Sequence, residues 1–226
     1  SQRIRLGLAE RVRWNIKVIR KIWGIKKADL IIYSFGADIF FPIAIYLIKA
    51  MAKAPLIVLS GVSPVTSGND RERAMARSFD LVLTNDDTHS RQWMELGVKK
   101  TFNLPLSAMD PDLHFPRKVK NRDIDVLFVG TMTAERKLFL KQVKRLLPQT
   151  IKTVFKEFIW EKEYAGLMSR AKIVLNPLRN EMKNGANLRM FETPAFGALL
   201  LGNSGRKEWL CPGKEMAIYK DAKDAV

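Results

Sequence analysis

Short, unbroken apolar runs alternate with amphipathic stretches along most of this chain. ADLIIYSF (28–35), APLIVLSG (54–61), FDLVLTN (79–85) and TFNLP (101–105) are rich in aliphatic and β-branched residues and end at or just before Gly, Asn or Pro. Runs of this length read as strands buried on both faces, the mark of a parallel sheet. Residues 38–51, 70–77 and 88–96 lie between them and read as helices. A second alternation predicts strands at 123–131, 151–155, 171–177, 197–202 and 215–220. Helices fall at 134–147, 161–170 and 188–196, with a helical turn at 205–210. The segment AMDPDLHFPRKVKNRD (108–123) has two prolines, several charges and no period, so it reads as a crossover linker. The expected fold class is α/β, with two Rossmann-like parallel-sheet units, 1–115 and 116–226, facing a cleft. In open parallel sheets, ligands bind beyond the carboxyl ends of the strands.

Before the first strand, residues 8–25 read as an amphipathic helix. Leu8, Val12, Ile16, Ile19 and Trp23 recur at helical spacing, with Arg and Lys between them. Two readings fit: a helix packed on a sheet with its charges solvated, or a basic helix lying on an anionic membrane. Charge sharpens the choice without making it. The net charge is +16, and residues 1–27 hold nine Lys/Arg against one Glu. Residues 28–118 balance at zero, and the rest of the excess lies in 119–226. Partners compatible with that field are anionic lipid, nucleic acid or a phosphorylated substrate.

A single cysteine, Cys211, excludes an internal disulfide and fits a reducing compartment. Two histidines, with no H-E-x-x-H or C-x-x-C pattern, argue against a zinc site, so no metal is expected. No signal peptide is visible, and the longest apolar run, 39–48, falls short of the roughly 20 residues a membrane span needs. The expected location is cytoplasmic, peripheral at the inner face of the membrane if the basic helix docks there. The chain starts at Ser1 and stops in what reads as the opening of a helix, so a fragment is expected.

Two stretches could carry chemistry. FVGTMTAERK (128–137) is a strand, then Gly130, a hydroxyl-rich turn with Thr131, and a helix start with Arg136. Glycine admits close backbone approach, and the helix N-terminus and the guanidinium favour an oxyanion. A plain strand–turn–helix joint with a surface arginine fits the same residues. The second stretch, 184–202, opens on the polar turn Asn184-Gly185-Ala186-Asn187. Arg189 and Glu192 follow three apart on one helical face. A surface ion pair would explain them, but Phe191, Ala195, Phe196 and the following strand look buried. A carboxylate on a buried helix needs partners, and a ribose diol, which donates two hydrogen bonds, is a good one.

The run NLRMFETPAFG (187–197) closely resembles the signature of the spore-maturation-type glycosyltransferase-like proteins, within the group 1 glycosyltransferases of the GT-B fold. FVGTMTAER, YAGLMSRAKIVLNP (164–177) and CPGKEMAIYKD (211–221) resemble further parts of that family. FDLVLTN and GVKKTFNLPLSAMDPDLHFP (97–116) resemble the close of its acceptor-side domain. The resemblance implies an acceptor-side unit at 1–115, incomplete at its start, and a nucleotide-sugar-binding unit at 116–226. It implies a hexosyltransferase-like enzyme working without a metal. The donor substrate would be a nucleotide-diphosphate sugar, a UDP-sugar foremost, and the acceptor a glycan, lipid-linked or protein group. Glu192 would hold the ribose hydroxyls. Gly130, Thr131 and Arg136 would flank the diphosphate, and Asn184, Gly185, Asn187 and Arg189 would contact diphosphate or sugar.

The sequence also departs from that family. Many group 1 enzymes carry a second Glu where Asn184 stands, and a His where Ser60 and Gly61 stand. His89, at a helix start, reads as a surface residue, and His114 lies in the linker. No catalytic residue is assigned, since Asp38, Asp86 and Asp87 qualify as a base by position only. A catalytically inactive nucleotide- or glycan-binding module of the same fold is therefore a rival reading. A nucleic-acid-binding protein is a weaker one, because the chain has no RNP-like aromatic run and no zinc finger.

Overall fold

A computed structural model of the chain describes residues 7–25, 28–34, 39–60, 63–65, 70–104, 109–178, 185–206 and 208–226, with the side chain of Glu72 left aside. The chain divides into two units, Ser1–Leu106 and Ser107–Val226.

In the first unit, helix α1 (Leu8–Trp23) precedes four strands: β1 (Ile31–Ser34), β2 (Leu56–Ser60), β3 (Leu81–Thr84) and β4 (Thr101–Asn103). They pair in the order β1-β2-β3-β4, all parallel. Helices α2 (Pro42–Ala52), α3 (Asp70–Met75) and α4 (Asp87–Glu95) make the crossovers. Two of them begin where local chemistry favours it. Pro42 sits in the first turn of α2, where its missing N–H costs nothing, and the Asp86 carboxylate caps α4 by accepting from the Thr88 N–H. Val58, Phe79, Val82 and Trp93 are fully buried, and Ile45, Ile48 and Leu56 nearly so. From α1, Val18, Ile19 and Ile22 pack on that core, while Leu8, Val12, Ile16 and Trp23 stay exposed.

In the second unit, five parallel strands, β5 (Ile124–Val129), β6 (Thr153–Lys156), β7 (Ala171–Asn176), β8 (Leu199–Gly202) and β9 (Ala217–Ile218), run in the order β6-β5-β7-β8-β9. The predicted last strand, 215–220, shortens to two residues. Residues 213–215 form a turn, and β9 is an edge strand paired with β8 alone. Helix α5 (Ala134–Leu146) covers one face, with Leu140 and Val143 packed on Val126, Phe128 and Leu175. Helix α6 (Glu161–Arg170) covers the other, with Ala165, Leu167 and Met168 packed on Ile124, Leu127 and Val174. The interior strand β5 is buried on both faces, which explains why IDVLFV reads as an apolar run broken only by Asp125.

Helix α7 (Leu188–Ala195) links β7 to β8. Asn187 caps it by accepting from the Met190 N–H. Pro194 sits one residue from its end, as a residue that halts a helix should. Gly197 then takes φ +69, and a Cβ there would stand 3.0 Å from Arg122 Nη2. That guanidinium donates to the carbonyls of Ala171 and Phe196. The segment read as a linker is thus bound to the second unit at Arg122, and at Arg117, whose N–H donates to Ser169 Oγ at 2.9 Å.

Candidate functional site

From β5 the chain passes to β6 on one side and then to β7 on the other, so the order of strands reverses between β5 and β7. A crevice outside the carboxyl ends of strands at such a point is where open α/β sheets take ligands. Gly130 and Thr131 follow β5 at this end, and Pro177 and Leu178 follow β7.

Glu192 is the centre of the cluster. It is 7% exposed, and three side chains from three segments meet it. Tyr164, on α6, donates its hydroxyl to Glu192 Oε2 at 2.6 Å. Arg189, one turn earlier on α7, donates from Nη1 to the same oxygen at 2.9 Å and also to the Tyr164 hydroxyl. Its guanidinium lies 5.0 Å from the Tyr164 ring centroid, within cation–π range. His114 Nε2 stands 3.5 Å from Oε1. Beneath them, the buried ring of Phe196 meets His114 and Tyr164 edge-on, each at 6.0 Å between centroids. Burial pushes the Tyr164 phenol up; the Arg189 guanidinium opposes that shift and the Glu192 carboxylate adds to it. The phenol therefore stays protonated and remains a donor throughout the neutral range.

A cavity of about 240 Å³ opens beside this cluster. Leu113, Ile159, Trp160 and Leu188 give it apolar walls, and His114, Tyr164, Arg189 and Glu192 give it a polar end. Trp160 is 73% exposed at the rim. Two non-glycine residues flanking this wall, Phe158 (φ 54) and Glu161 (φ 45), take left-handed backbone conformations. Each costs on the order of 1–3 kcal/mol, and such conformations cluster at ligand sites.

The other expected residues divide. Gly130 lies beside Arg189: a Cβ on it would meet Arg189 Nη2 at 3.8 Å and the Phe128 ring at 3.4 Å. Arg136 does not behave as a loose surface cation. Its Nε and Nη2 donate to the Pro177 carbonyl at 3.0 and 2.9 Å, and Nη1 donates to the Thr131 carbonyl at 3.1 Å. It thereby ties the turn after β5 to the loop after β7. Asn187 likewise works within the fold. Its amide exchanges two hydrogen bonds with the buried Asn176, at 2.8 and 3.1 Å. Gly185 is buried just ahead of α7. Asn184 and Asp38 lie outside the described residues.

Sequence reasoning missed Tyr164 and His114 as partners of Glu192. Tyr164 opens the stretch YAGLMSRAKIVLNP, but nothing local marks its hydroxyl as paired 28 residues away. His114 reaches Glu192 because 109–123 belongs to the second unit. In the first unit, His89 is 1% exposed rather than superficial. It stands four residues before Trp93, on the inward face of α4. Asp86 is occupied as a helix cap, and Asp87 accepts from Asn103. Among the described residues, no group of three or more His, Cys, Asp or Glu side chains could hold a metal ion.

Two parallel-sheet units, with this cluster at the strand-order reversal of the second, define an α/β protein of the GT-B class. Solved structures of similar fold include HepE (Alr3699) of Anabaena in complex with UDP-glucose, with TM-score 0.60 and 11% identity over 92% of this chain and 69% of that one. Another is an alpha-glucosyltransferase in complex with UDP-glucose and DNA containing an abasic site, with TM-score 0.57 and 11% identity over 92% and 68%. A third, from the accessory secretory protein 1, 2 and 3 structure of Streptococcus pneumoniae, has TM-score 0.55 and 12% identity over 95% of this chain and 49% of that one. Within that fold, the profile of the glycosyl transferase-like family matches residues 114–226, and the chain belongs to that family. No curated protein sequence matches the chain.

Proposed function

We propose that the protein transfers a sugar, hexose foremost, from a nucleotide-diphosphate sugar to a glycan, lipid-linked or protein acceptor, without a metal. The observation that carries this reading is the buried Glu192, held by Tyr164 and Arg189 at the strand-order reversal and open to a cavity with apolar walls. A buried carboxylate aimed at a cavity is suited to accept from the hydroxyls of a ribose. The cavity is smaller than the roughly 300–1,000 Å³ of pockets that enclose whole drug-sized ligands, and we assign it to the nucleoside, with Trp160 offering a face to the base. UDP-glucose in two structures of the same fold makes a UDP-sugar the first donor to try.

As the donor's sugar–oxygen bond breaks, negative charge grows on the departing diphosphate. In this proposal Arg189, beside Gly130, meets that charge directly, and the N-termini of α5 and α7 add positive potential. Arg136 contributes charge and fixes the Thr131 turn against Pro177. Gly185 and Asn187 shape the entry to α7, and with Asn184 they are proposed to contact the diphosphate or the sugar. The spore-maturation-type branch is our finer assignment within the family.

Calorimetric titration of UDP, GDP, ADP, dTDP and CMP into the wild type and Glu192→Ala tests the donor site. We expect one nucleoside diphosphate to bind and the variant to lose it. A folded wild type that binds none of them would sink the reading. Binding without turnover of the matching sugar nucleotide would leave a binding module in place of an enzyme.

We also propose a cytoplasmic protein that docks on anionic membrane through residues 1–27, where an acceptor on lipid would be met. The exposed apolar side chains of α1, flanked by Arg and Lys, support this. Among the described residues, no helix is long and apolar enough to cross a membrane.

A further inference from the structure

We infer that Tyr164 is a positioning residue: its hydroxyl locks Glu192 Oε2 so that Oε1 is the oxygen that reads the ligand ribose. The inference rests on the donor-site reading above. The two carboxylate oxygens of Glu192 have different surroundings. Oε2 takes the Tyr164 hydroxyl at 2.6 Å and Arg189 Nη1 at 2.9 Å, and Arg189 also donates to the hydroxyl that does the donating. These three groups form a closed triangle spanning α6 and α7. Oε1 is met by His114 Nε2 at 3.5 Å, longer than an ordinary N–H···O bond. His114 Nδ1 is turned to the backbone of Asp110, 2.9 Å from its N–H and 3.1 Å from its carbonyl, which leaves Nε2 as the ring nitrogen facing Oε1. A ligand hydroxyl displaces this long contact at little cost, whereas displacing the donors on Oε2 would strand a buried phenol and a guanidinium.

The terminal torsion of a glutamate is broad, so Arg189 alone does not fix which oxygen faces the cavity. The arginine fork can donate to either or both carboxylate oxygens. Tyr164 removes that freedom. Its rigid ring is clamped by burial and by the edge contact with Phe196, and its single hydroxyl reaches one oxygen only. The consequence is discrimination for ribose over deoxyribose, which is distinct from overall affinity.

UDP and 2′-deoxy-UDP, titrated calorimetrically into wild type, Tyr164→Phe and Leu167→Ala, separate the possibilities. Tyr164→Phe keeps the ring and deletes one hydroxyl. Leu167→Ala loosens the same helix from the core without touching Glu192. The wild type should prefer UDP. In Tyr164→Phe, UDP should weaken about tenfold, the scale of one hydrogen bond to a charged group, while 2′-deoxy-UDP holds its wild-type affinity. Leu167→Ala should keep the wild-type preference. A Tyr164→Phe protein that discriminates as well as wild type, or a Leu167→Ala protein that loses the preference equally, overturns the positioning role and leaves the donor site standing. A wild type that binds neither nucleotide, or both alike, removes the ribose-reading role of Glu192 and this inference with it.

Discussion

Arg136 is a cation whose position in the sequence suggests a free surface charge and whose geometry assigns it a structural role. Three of its N–H groups are directed at two backbone carbonyls, a fork that lysine cannot copy. Arg136→Lys, which keeps the charge, should therefore lower stability by about 1–2 kcal/mol, read as a shifted midpoint in urea. A surface arginine away from such contacts would tolerate the change within about 0.5 kcal/mol, and that result would remove the structural role. Residue-level legibility was uneven for a physical reason. Glu192 stands out in the sequence because a lone acid among Phe191, Pro194 and Phe196 has to be explained. Its partners do not stand out, because Tyr164 and His114 sit on other segments and only folding brings them to it. Asn187 was legible as part of a polar turn, but its reciprocal amide pair with Asn176 is a long-range fact that no local pattern encodes.

Elements were easier to read than residues where both faces are buried, as in β5 and β7, whose composition is forced by burial. They were harder to read at edges. β9 has one neighbour and only two paired residues, so the apolar letters of EMAIYK overstate it. Two glycines of the second unit should respond oppositely to the same change. Gly166 lies within α6 with no atom near enough to meet a Cβ. Gly166→Ala should raise stability by about 0.5–1 kcal/mol, because alanine has the better helix propensity and restricts the unfolded chain more. Gly197→Ala should lower it by about 1–2 kcal/mol, since φ +69 disfavours a side chain and the Cβ would press on Arg122 Nη2 at 3.0 Å. Denaturant midpoints measured side by side check both signs. A destabilised Gly166→Ala would mean that α6 is packed more tightly than its surroundings indicate.

At the scale of the whole chain, the two parallel sheets were visible in the alternation of apolar runs, while the use made of a net charge of +16 was not. A net charge reports a field, and only exposure tells whether apolar surface accompanies it. Leu8 and Trp23 are 69% and 78% exposed, and Val12, Trp14 and Ile16 are also open. Leu8, Val12, Ile16 and Trp23 fall along one side of α1 by helical spacing, next to Arg13, Lys17 and Arg20. Apolar burial and lipid charge would then act together. Each Lys or Arg near an anionic surface contributes about 1 kcal/mol at low salt, and raising ionic strength from 0.1 to 1 M shortens the screening length from about 10 to about 3 Å. The protein should co-float with phosphatidylglycerol-containing vesicles at low salt, less at high salt, and hardly at all with neutral phosphatidylcholine vesicles. The double variant Ile16→Glu/Trp23→Glu removes the apolar contribution from side chains that are already exposed. It should abolish flotation while leaving the melting temperature near that of wild type. Equal flotation of this variant would mean that charge alone binds the surface. Absence of flotation by the wild type would leave the α1 stripe without a membrane role.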